Sequence, residues 1–425
     1  MPQSTTPSSR EGRTSFKSPL PPLLAPLGPL FAAMYALELG RRSRAFDRGK
    51  GVITFDRPVI SVGNLSVGGT GKSPMVRRLV ELLSRNNLSP VIAMRGYAAR
   101  KGFSDEADET RRALEALSLN VPIVAQPNRL EGLLDLFASH MGLEIRTIIL
   151  DDGFQHRKIA RCFDLVLIDA TRDPFADHLL PQGWLREPTR TLARAHAVAI
   201  THADRIASAS LSRIVANARN ANPNLIVAAF THAWQSLNIY THAQPQSQSV
   251  SWLKGKRVAI CCAIGNPNIF IAMVREATGE TNSTFTSTSS AFTAFTSTSS
   301  ASTSNQLILP DHDPFNSRTI ARLLDLAKDF DALVITDKDW SKLNRVRPDL
   351  WPCPVVVPQI SMCPLNANLA RAAACDLSDQ LDTSILATIS AWNQANPPYE
   401  PPNQIHNQAP QTDPDVIPNS PASSP

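Results

Sequence analysis

No two cysteines in this 425-residue chain are spaced as a redox pair or a metal finger. The six (Cys162, Cys261, Cys262, Cys353, Cys363, Cys375) contain no C-x-x-C, which excludes a zinc ribbon and a thioredoxin-like motif. Cys162, Cys261 and Cys262 sit in or beside apolar runs and read as small buried thiols. A basic surplus in the body is missing as well. Residues 1–50 carry eight Lys/Arg against three acids, which accounts for the whole net charge of +5 and leaves 51–425 neutral. A nucleic-acid binder would spread its positive charge over the folded body. Nor is there a clean membrane span. The apolar stretch 20–39 holds Pro21, Pro22, Pro26 and Pro29 in its first half, whereas a spanning helix needs ~20 predominantly apolar residues without such breaks. Its basic cluster, Arg41, Arg42 and Arg44, follows the apolar run, the reverse of a secretory signal. A short helix over 29–46 is expected, lying in a membrane interface with its arginines on headgroups or packed on the domain surface.

What the chain does have is a phosphate cradle. The run 59–62 leads into Gly63-Asn64-Leu65-Ser66-Val67-Gly68-Gly69-Thr70-Gly71-Lys72-Ser73, and a helical pattern follows from Met75. Glycines let backbone N–H groups turn onto phosphate oxygens, and a helix N-terminus adds partial positive charge. Residues Ser66, Val67, Gly68, Gly69, Thr70, Gly71, Lys72 and Ser73 are therefore the nucleotide-binding candidates. Lys72 would reach the β/γ-phosphates, and the Ser73 hydroxyl would bind Mg²⁺. One departure stands out: the strict pattern has a glycine where this chain has Ser66.

Around the cradle, short apolar runs at 59–62, 91–93, 121–124, 147–150, 165–168, 197–200 and 225–229 alternate with helical or loop stretches. Buried parallel strands look like this, so the expected class is α/β, with a P-loop NTPase-like doubly wound parallel sheet. Ligands in such sheets bind at the carboxyl ends of the strands. The motifs placed there are Arg95-Gly96-Tyr97 with the acidic stretch 104–109, Asp151-Asp152-Gly153-Phe154-Gln155-His156, and 169–188 ending in Leu185-Arg186-Glu187-Pro188. A second, smaller α/β domain begins near residue 246, with a strand then a turn over 256–267, a strand with acids at its end over 331–339, a third strand over 354–357, and Asp311-His312-Asp313 between them. The expected layout is an arm over 1–18, a membrane-associated region over 19–50, a P-loop domain over 51–245, and the second domain over 246–390. The Ser/Thr tract 281–305, with its duplicated Phe-Thr-Ser-Thr-Ser-Ser-Ala, reads as a low-complexity insertion. Residues 391–425 read as a disordered Pro-rich tail.

Acids directly after an apolar strand hold the nucleotide's metal in P-loop enzymes. Ser73 and one of Asp151 and Asp152 are thus the metal candidates, with the other acid orienting a ligand; the pair also reads as a solvated strand end or helix cap. His156 reads equally as a ligand contact or a structural histidine. Asp105 and Glu106 stand in a polar loop, and Glu187 is compatible with a helix-boundary salt bridge.

Together these stretches make the chain similar to the tetraacyldisaccharide 4′-kinase family, the lipid A pathway enzymes that phosphorylate the 4′-hydroxyl of an acylated disaccharide 1-phosphate. The stretches 61–74, 95–97, 150–157, 169–188, 263–270, 311–315 and 334–343 occur in family order. The family's own glycine loop also lacks the first glycine. The resemblance implies ATP and Mg²⁺ as cofactors, the lipid A precursor disaccharide as acceptor, and no protein or nucleic-acid partner. It implies a monotopic enzyme on the cytoplasmic face of the inner membrane, with a cleft between two domains. Carried over residue by residue, the catalytic set is Asp105, His312, Asp152 and Glu187, with His312 partnering the aspartate that accepts the hydroxyl proton. The usual family form there is Gly-Asp-Glu-Pro, whereas this chain offers Ser104-Asp105-Glu106-Ala107 or Ala107-Asp108-Glu109-Thr110; Asp105 is preferred and Asp108 is the alternative. A membrane-attached P-loop switch is the rival class, and a kinase of another glycolipid a third reading. The second domain and the Asp-His motif favour a kinase, because a switch needs no acceptor cleft.

Overall fold

The computed structural model describes residues 19–21, 23–96, 105–241, 245–280, 305–310 and 313–396. The N-terminal arm, nearly all of the Ser/Thr tract, Asp311-His312 and the tail from 397 lie outside the described residues.

The order opens with helix α1 (Gly28–Asp47), then β1 (Val59–Asn64), α2 (Lys72–Arg85), β2 (Pro90–Met94), α3 (Asp105–Glu115), β3 (Ile123–Ala125) and α4 (Arg129–Phe137). There follow β4 (Thr147–Asp151), β5 (Phe163–Asp169), β6 (Ala197–Thr201), α5 (Ser208–Ala221), β7 (Ile226–Tyr240) and β8 (Gln246–Gln248). The remainder is β9 (Val258–Cys262), α6 (Pro267–Thr278), β10 (Gln306–Ile308), α7 (Ser317–Ala327), β11 (Ala332–Ile335), α8 (Asp337–Leu343), β12 (Val355–Pro364), α9 (Ala367–Ala372) and α10 (Ser378–Ala395).

All the strands join one sheet, in the order β10-β9-β11-β12-β7-β6-β5-β1-β4-β2-β3, with β8 on β7. The pairs from β7 to β3 are parallel. Period-2 alternation gives these strands two buried faces. In β5, Leu165 and Leu167 belong to the buried cluster that holds Met75, Leu79 and Leu83 of α2, while Val166 and Ile168 belong to the one that holds Leu211 and Ile214 of α5. Helices thus cover both faces, the doubly wound arrangement expected of the sequence. Cys261 and Cys262 in β9 are fully buried on opposite faces, and burial drives both thiols well above their ordinary range.

The two halves meet along a ribbon. β7 starts parallel to β6 and then runs antiparallel to β12, Phe230 opposite Pro364 and Tyr240 opposite Val355, with a register shift at Gln359/Ile360. The far side, β12-β11-β9-β10, is again parallel. A second domain ending near residue 390 therefore needs correction. After β12 the chain returns to the first half: Leu365, Ala370 and Ala373 join the α5 side, and Leu381, Ile385 and Ile389 of α10 pack with Leu79 and Leu83. Their apolar side chains, at helical spacing in α10, find an open face on α2 rather than on the second half.

Candidate active site

The glycine loop leaves β1 between the carboxyl ends of β4 and β5, where Val62 pairs with Asp151 and with Leu165. Its first residues are extended rather than turned. Ser66 bridges Leu185, Val67 N donates to Trp184 O at 2.9 Å, and Arg186 N donates to Leu65 O at 2.7 Å. An extended position asks for no positive φ, which is why serine serves at 66 without penalty. The tight part of the turn comes later. Gly71, at φ +83°, caps α2, and a Cβ there would stand 2.8 Å from His232 Nε2. Backbone and neighbour both demand glycine at that position. Asn64 Nδ2 donates to Thr70 Oγ1 (2.9 Å) and Thr201 Oγ1 donates to Thr70 O (3.1 Å), so the loop is tied to the ends of β1 and β6.

α2 opens with Lys72, and its ammonium lies 3.6 Å from Asp152 Oδ1. The same carboxylate takes Arg186 Nη1 on both oxygens at 2.9 Å, and Arg129 Nη1 donates to Asp152 O at 3.2 Å. Asp152 itself stands at φ +51°, a conformation aspartate tolerates better than most residues. Burial would raise its carboxyl, but Lys72 and Arg186 outweigh that and hold it below the ordinary range. Next to it, Asp151 behaves oppositely. Burial raises it to about 6 against the pull of Lys72, with Asp152 and Glu106 adding to the rise. Asp151 Oδ1 is buried and has no hydrogen-bond partner.

That orphaned oxygen is what a cation site requires. Ser73 stands exposed in the first turn of α2, and a hydroxyl plus a carboxylate is the oxygen-only donor set that suits Mg²⁺, which takes its remaining ligands from phosphates and water. Among the described residues no cluster of three or more His, Cys, Asp or Glu could cage a metal alone. The residues fit an ion shared with a nucleotide.

The other sequence candidates fall in different places. Glu187 is buried and paired with Arg194 at 2.7 Å, and that guanidinium lies 3.7 Å over the Phe154 ring and donates to Phe154 O. Glu187 thus makes the salt bridge that its position before Pro188 allowed, and its neighbour Arg186 is the residue that meets Asp152. His156 keeps a buried, unpartnered Nε2, and burial with Arg129 and Lys158 lowers it to about 4, so it is a neutral imidazole. The acidic stretch is not a loop from Asp105 onward, because α3 begins there and packs against α8 of the second half. Asp108, one turn in, pairs with Arg111 on an exposed face at 2.7 Å. The Asp105 side chain and His312 fall outside what the structure describes. The residues after His312 are well anchored: Lys342 Nζ donates to Asp313 O at 2.8 Å, and Arg345 donates to Pro314 O and Phe315 O.

Sequence reasoning missed Arg186, Arg129 and a buried Asp169–His202–His232 group. Asp169 Oδ1 and His202 Nδ1 are 3.0 Å apart, and the two imidazoles meet edge to face at 4.3 Å under Gly71. Arg186 lay within a quoted motif, but nothing in its neighbours marked it over Glu187. The histidines are thirty residues apart and share no spacing signal.

A glycine loop, its lysine, and two carboxylates at the end of the adjacent strand define a P-loop phosphotransferase. The comparisons carry this further. The family model described as tetraacyldisaccharide-1-P 4′-kinase matches residues 20–296. The tetraacyldisaccharide 4′-kinase of Anaeromyxobacter sp. (strain K) is 31% identical over 399 residues, covering 88% of this chain and 94% of its own length. The protein of that name from Anaeromyxobacter dehalogenans (strain 2CP-1) is 37% identical over 268 residues, 58% of this chain and 69% of its own. A crystal structure of LpxK from Aquifex aeolicus in complex with ATP superposes with a TM-score of 0.56 at 22% identity, covering 86% of this chain and 99% of the other; it shares the fold. This chain belongs to the tetraacyldisaccharide 4′-kinase family.

Proposed function

We propose that the protein transfers the γ-phosphoryl group of ATP to the 4′-hydroxyl of a tetraacylated glucosamine disaccharide 1-phosphate, at the cytoplasmic face of the inner membrane. The observation that carries the reading is the convergence of Lys72 and Arg186 on Asp152 beside the glycine loop. Phosphoryl transfer asks mainly for positioning and for neutralising charge. Backbone N–H groups of 66–73 and the Lys72 ammonium would hold the β/γ-phosphates. Asp152 keeps Lys72 and Arg186 aimed at that point, and family membership supports this assignment. Ser73 and Asp151 would hold Mg²⁺, which when bound neutralises phosphate oxygens. Asp105, partnered by His312, would accept the 4′-hydroxyl proton; an aspartate of ordinary pKa ~4 suffices where the proton leaves late.

Helix α1 supports the membrane part. One face is docked: Tyr35 Oη donates to Arg186 O at 2.9 Å, and Arg157 reaches Ser43 and Asp47. On the opposite face Leu30, Met34 and Leu37 are 59, 62 and 71% exposed, continuing a stripe from Leu23 and Leu27. Arg41, Arg42, Arg44, Arg48 and Lys50 follow it in the sequence. An apolar stripe beside a basic segment suits an anionic lipid surface. No described helix is long and apolar enough to cross a membrane.

The test is the full chain in detergent micelles with ATP, Mg²⁺ and the tetraacylated disaccharide 1-phosphate, followed by mass spectrometry of the lipid. One added phosphate, lost on chelation of Mg²⁺, supports the reading; ATP hydrolysis equal with and without an unmodified lipid overturns it. For the membrane part, Met34→Glu with Leu37→Glu should release the protein from sedimenting anionic vesicles. Undiminished binding would refute docking through α1.

A further inference from the structure

One cation at the glycine loop has no place in the constellation above. Past β5 the chain turns sharply: Thr171 N and Oγ1 both donate to Asp169 Oδ1, and Arg172 N donates to Asp169 O. The turn sends Arg172 back over the loop. Its Nη1 lies 3.1 Å from where a Cβ on Gly68 would stand, at a glycine with φ +115°. Its Nη2 donates to Gly265 O at 2.6 Å, in the turn between β9 and α6 of the second half. Beside it, Asn266 Nδ2 donates to Thr171 Oγ1 at 3.3 Å. One guanidinium therefore touches the phosphate loop of one half and the backbone of the other.

Its charge is also uncommitted. Lys72 and Arg186 share Asp152, whereas Arg172 has no carboxylate partner among the described residues. A planar guanidinium can keep one nitrogen on a carbonyl while the other takes a phosphate oxygen. At the carboxyl end of β5, adjacent to β1, its free edge faces the loop that cradles the nucleotide. We propose that Arg172 reads the terminal phosphate of a nucleoside triphosphate and, through Gly265, couples its presence to the second half of the sheet. This rests on the nucleotide site assigned to the glycine loop.

The experiment compares ADP with β,γ-imido ATP, both with Mg²⁺, by calorimetry on the full chain in detergent. Arg172→Ala should weaken the triphosphate analogue about tenfold, the scale of one lost charge-assisted hydrogen bond, and leave ADP within about twofold. Arg172→Lys should fall between, because an ammonium keeps the charge but not the fork. Amide exchange across 263–271 should slow on adding the analogue to the wild type and stay unchanged in Arg172→Ala. Equal loss of both nucleotides, or no loss of either, overturns the proposal, as does unaltered slowing of exchange in the variant. Lys72→Ala is the control for the site itself: if it binds both nucleotides normally, the glycine-loop assignment fails whatever Arg172 does. Matching thermal unfolding of Arg172→Lys and wild type guards against a folding defect.

Discussion

Two strands of this sheet end in paired acids, β4 in Asp151-Asp152 and β11 in Asp337-Lys338-Asp339, and the pairs do different work. Asp339 is fully buried; its Oδ2 accepts from Thr336 Oγ1 at 2.6 Å and from Ala263 N at 2.9 Å. That carboxylate fastens the turn after β9 to the start of α8. Asp152 accepts from a lysine and an arginine instead, while each pair keeps one buried oxygen unpartnered, Asp151 Oδ1 and Asp339 Oδ1. What separates the pairs is the neighbouring strand. β4 lies beside the strand that launches the glycine loop, and β11 lies beside β9, whose turn supplies a backbone N–H. An acid after an apolar strand marks a possible ligand site; the adjacent loop decides whether it is one.

The comparison can be broken most directly at the lysine. Lys72→Ala should cut turnover by at least ~10³-fold, the upper range for removing one charge-stabilising donor. Near-normal rates would erase the distinction between the two strand ends. Asp152→Ala comes next, with an expected loss of ~10²-fold in kcat and little change in thermal unfolding, since removing the carboxylate frees two partly exposed cations. Asp339→Ala should show the reverse. Stability falls by ~1–3 kcal/mol, the cost of stranding a buried amide N–H and hydroxyl, while kcat below the unfolding transition holds. A kcat loss for Asp339→Ala without destabilisation would move it into the site.

The smallest effect sharpens the interface that Asp337 shares with α3. Burial, and then the charge of Asp337, raise Glu109 to about 7, against the pull of Arg77 and Lys338, with Glu106 adding to the rise. The folded chain thus holds this proton more tightly than the unfolded one, where glutamate releases it near ~4.3. Stability therefore falls as pH climbs from that value through about 7, and the penalty is complete above it. Glu109→Gln cannot ionise. It should be nearly neutral at pH 5 and stabilising by on the order of 1 kcal/mol at pH 8, read from thermal unfolding at both values. An offset independent of pH would refute the assignment.

Much of this was legible in the residues. The seven apolar runs mark β1 to β7, because strands buried on both faces must be continuously apolar, and the glycine loop and Asp151-Asp152, both legible as motifs, lie side by side in the candidate site. The extension of β7 to Tyr240 was not legible. Beyond Phe230 it carries Thr231, His232, Gln235, Ser236 and Asn238 among its apolar residues, and its burial depends on β12, more than a hundred residues on. The return of α10 was hidden for a related reason: a helix announces its apolar face but not which surface receives it. Glu187 and Arg186 show the same limit on a smaller scale. Adjacent charged residues differ only in which way the loop points them, and the Ser66–Leu185 bridge sets that direction.

The Tyr35–Arg186 bond has a geometrical consequence. α1 lies between the exposed leucine stripe and the arginine that grips Asp152. With side chains a helix is ~10–12 Å across. In the proposed docking, α1 would become a ruler: it would fix the Asp152 carboxylate about one helix thickness above the acyl boundary. Hydroxyls at headgroup height would then come within reach while their acyl chains stay in the bilayer, and an enzyme so docked would select its acceptor by depth before it selects by shape.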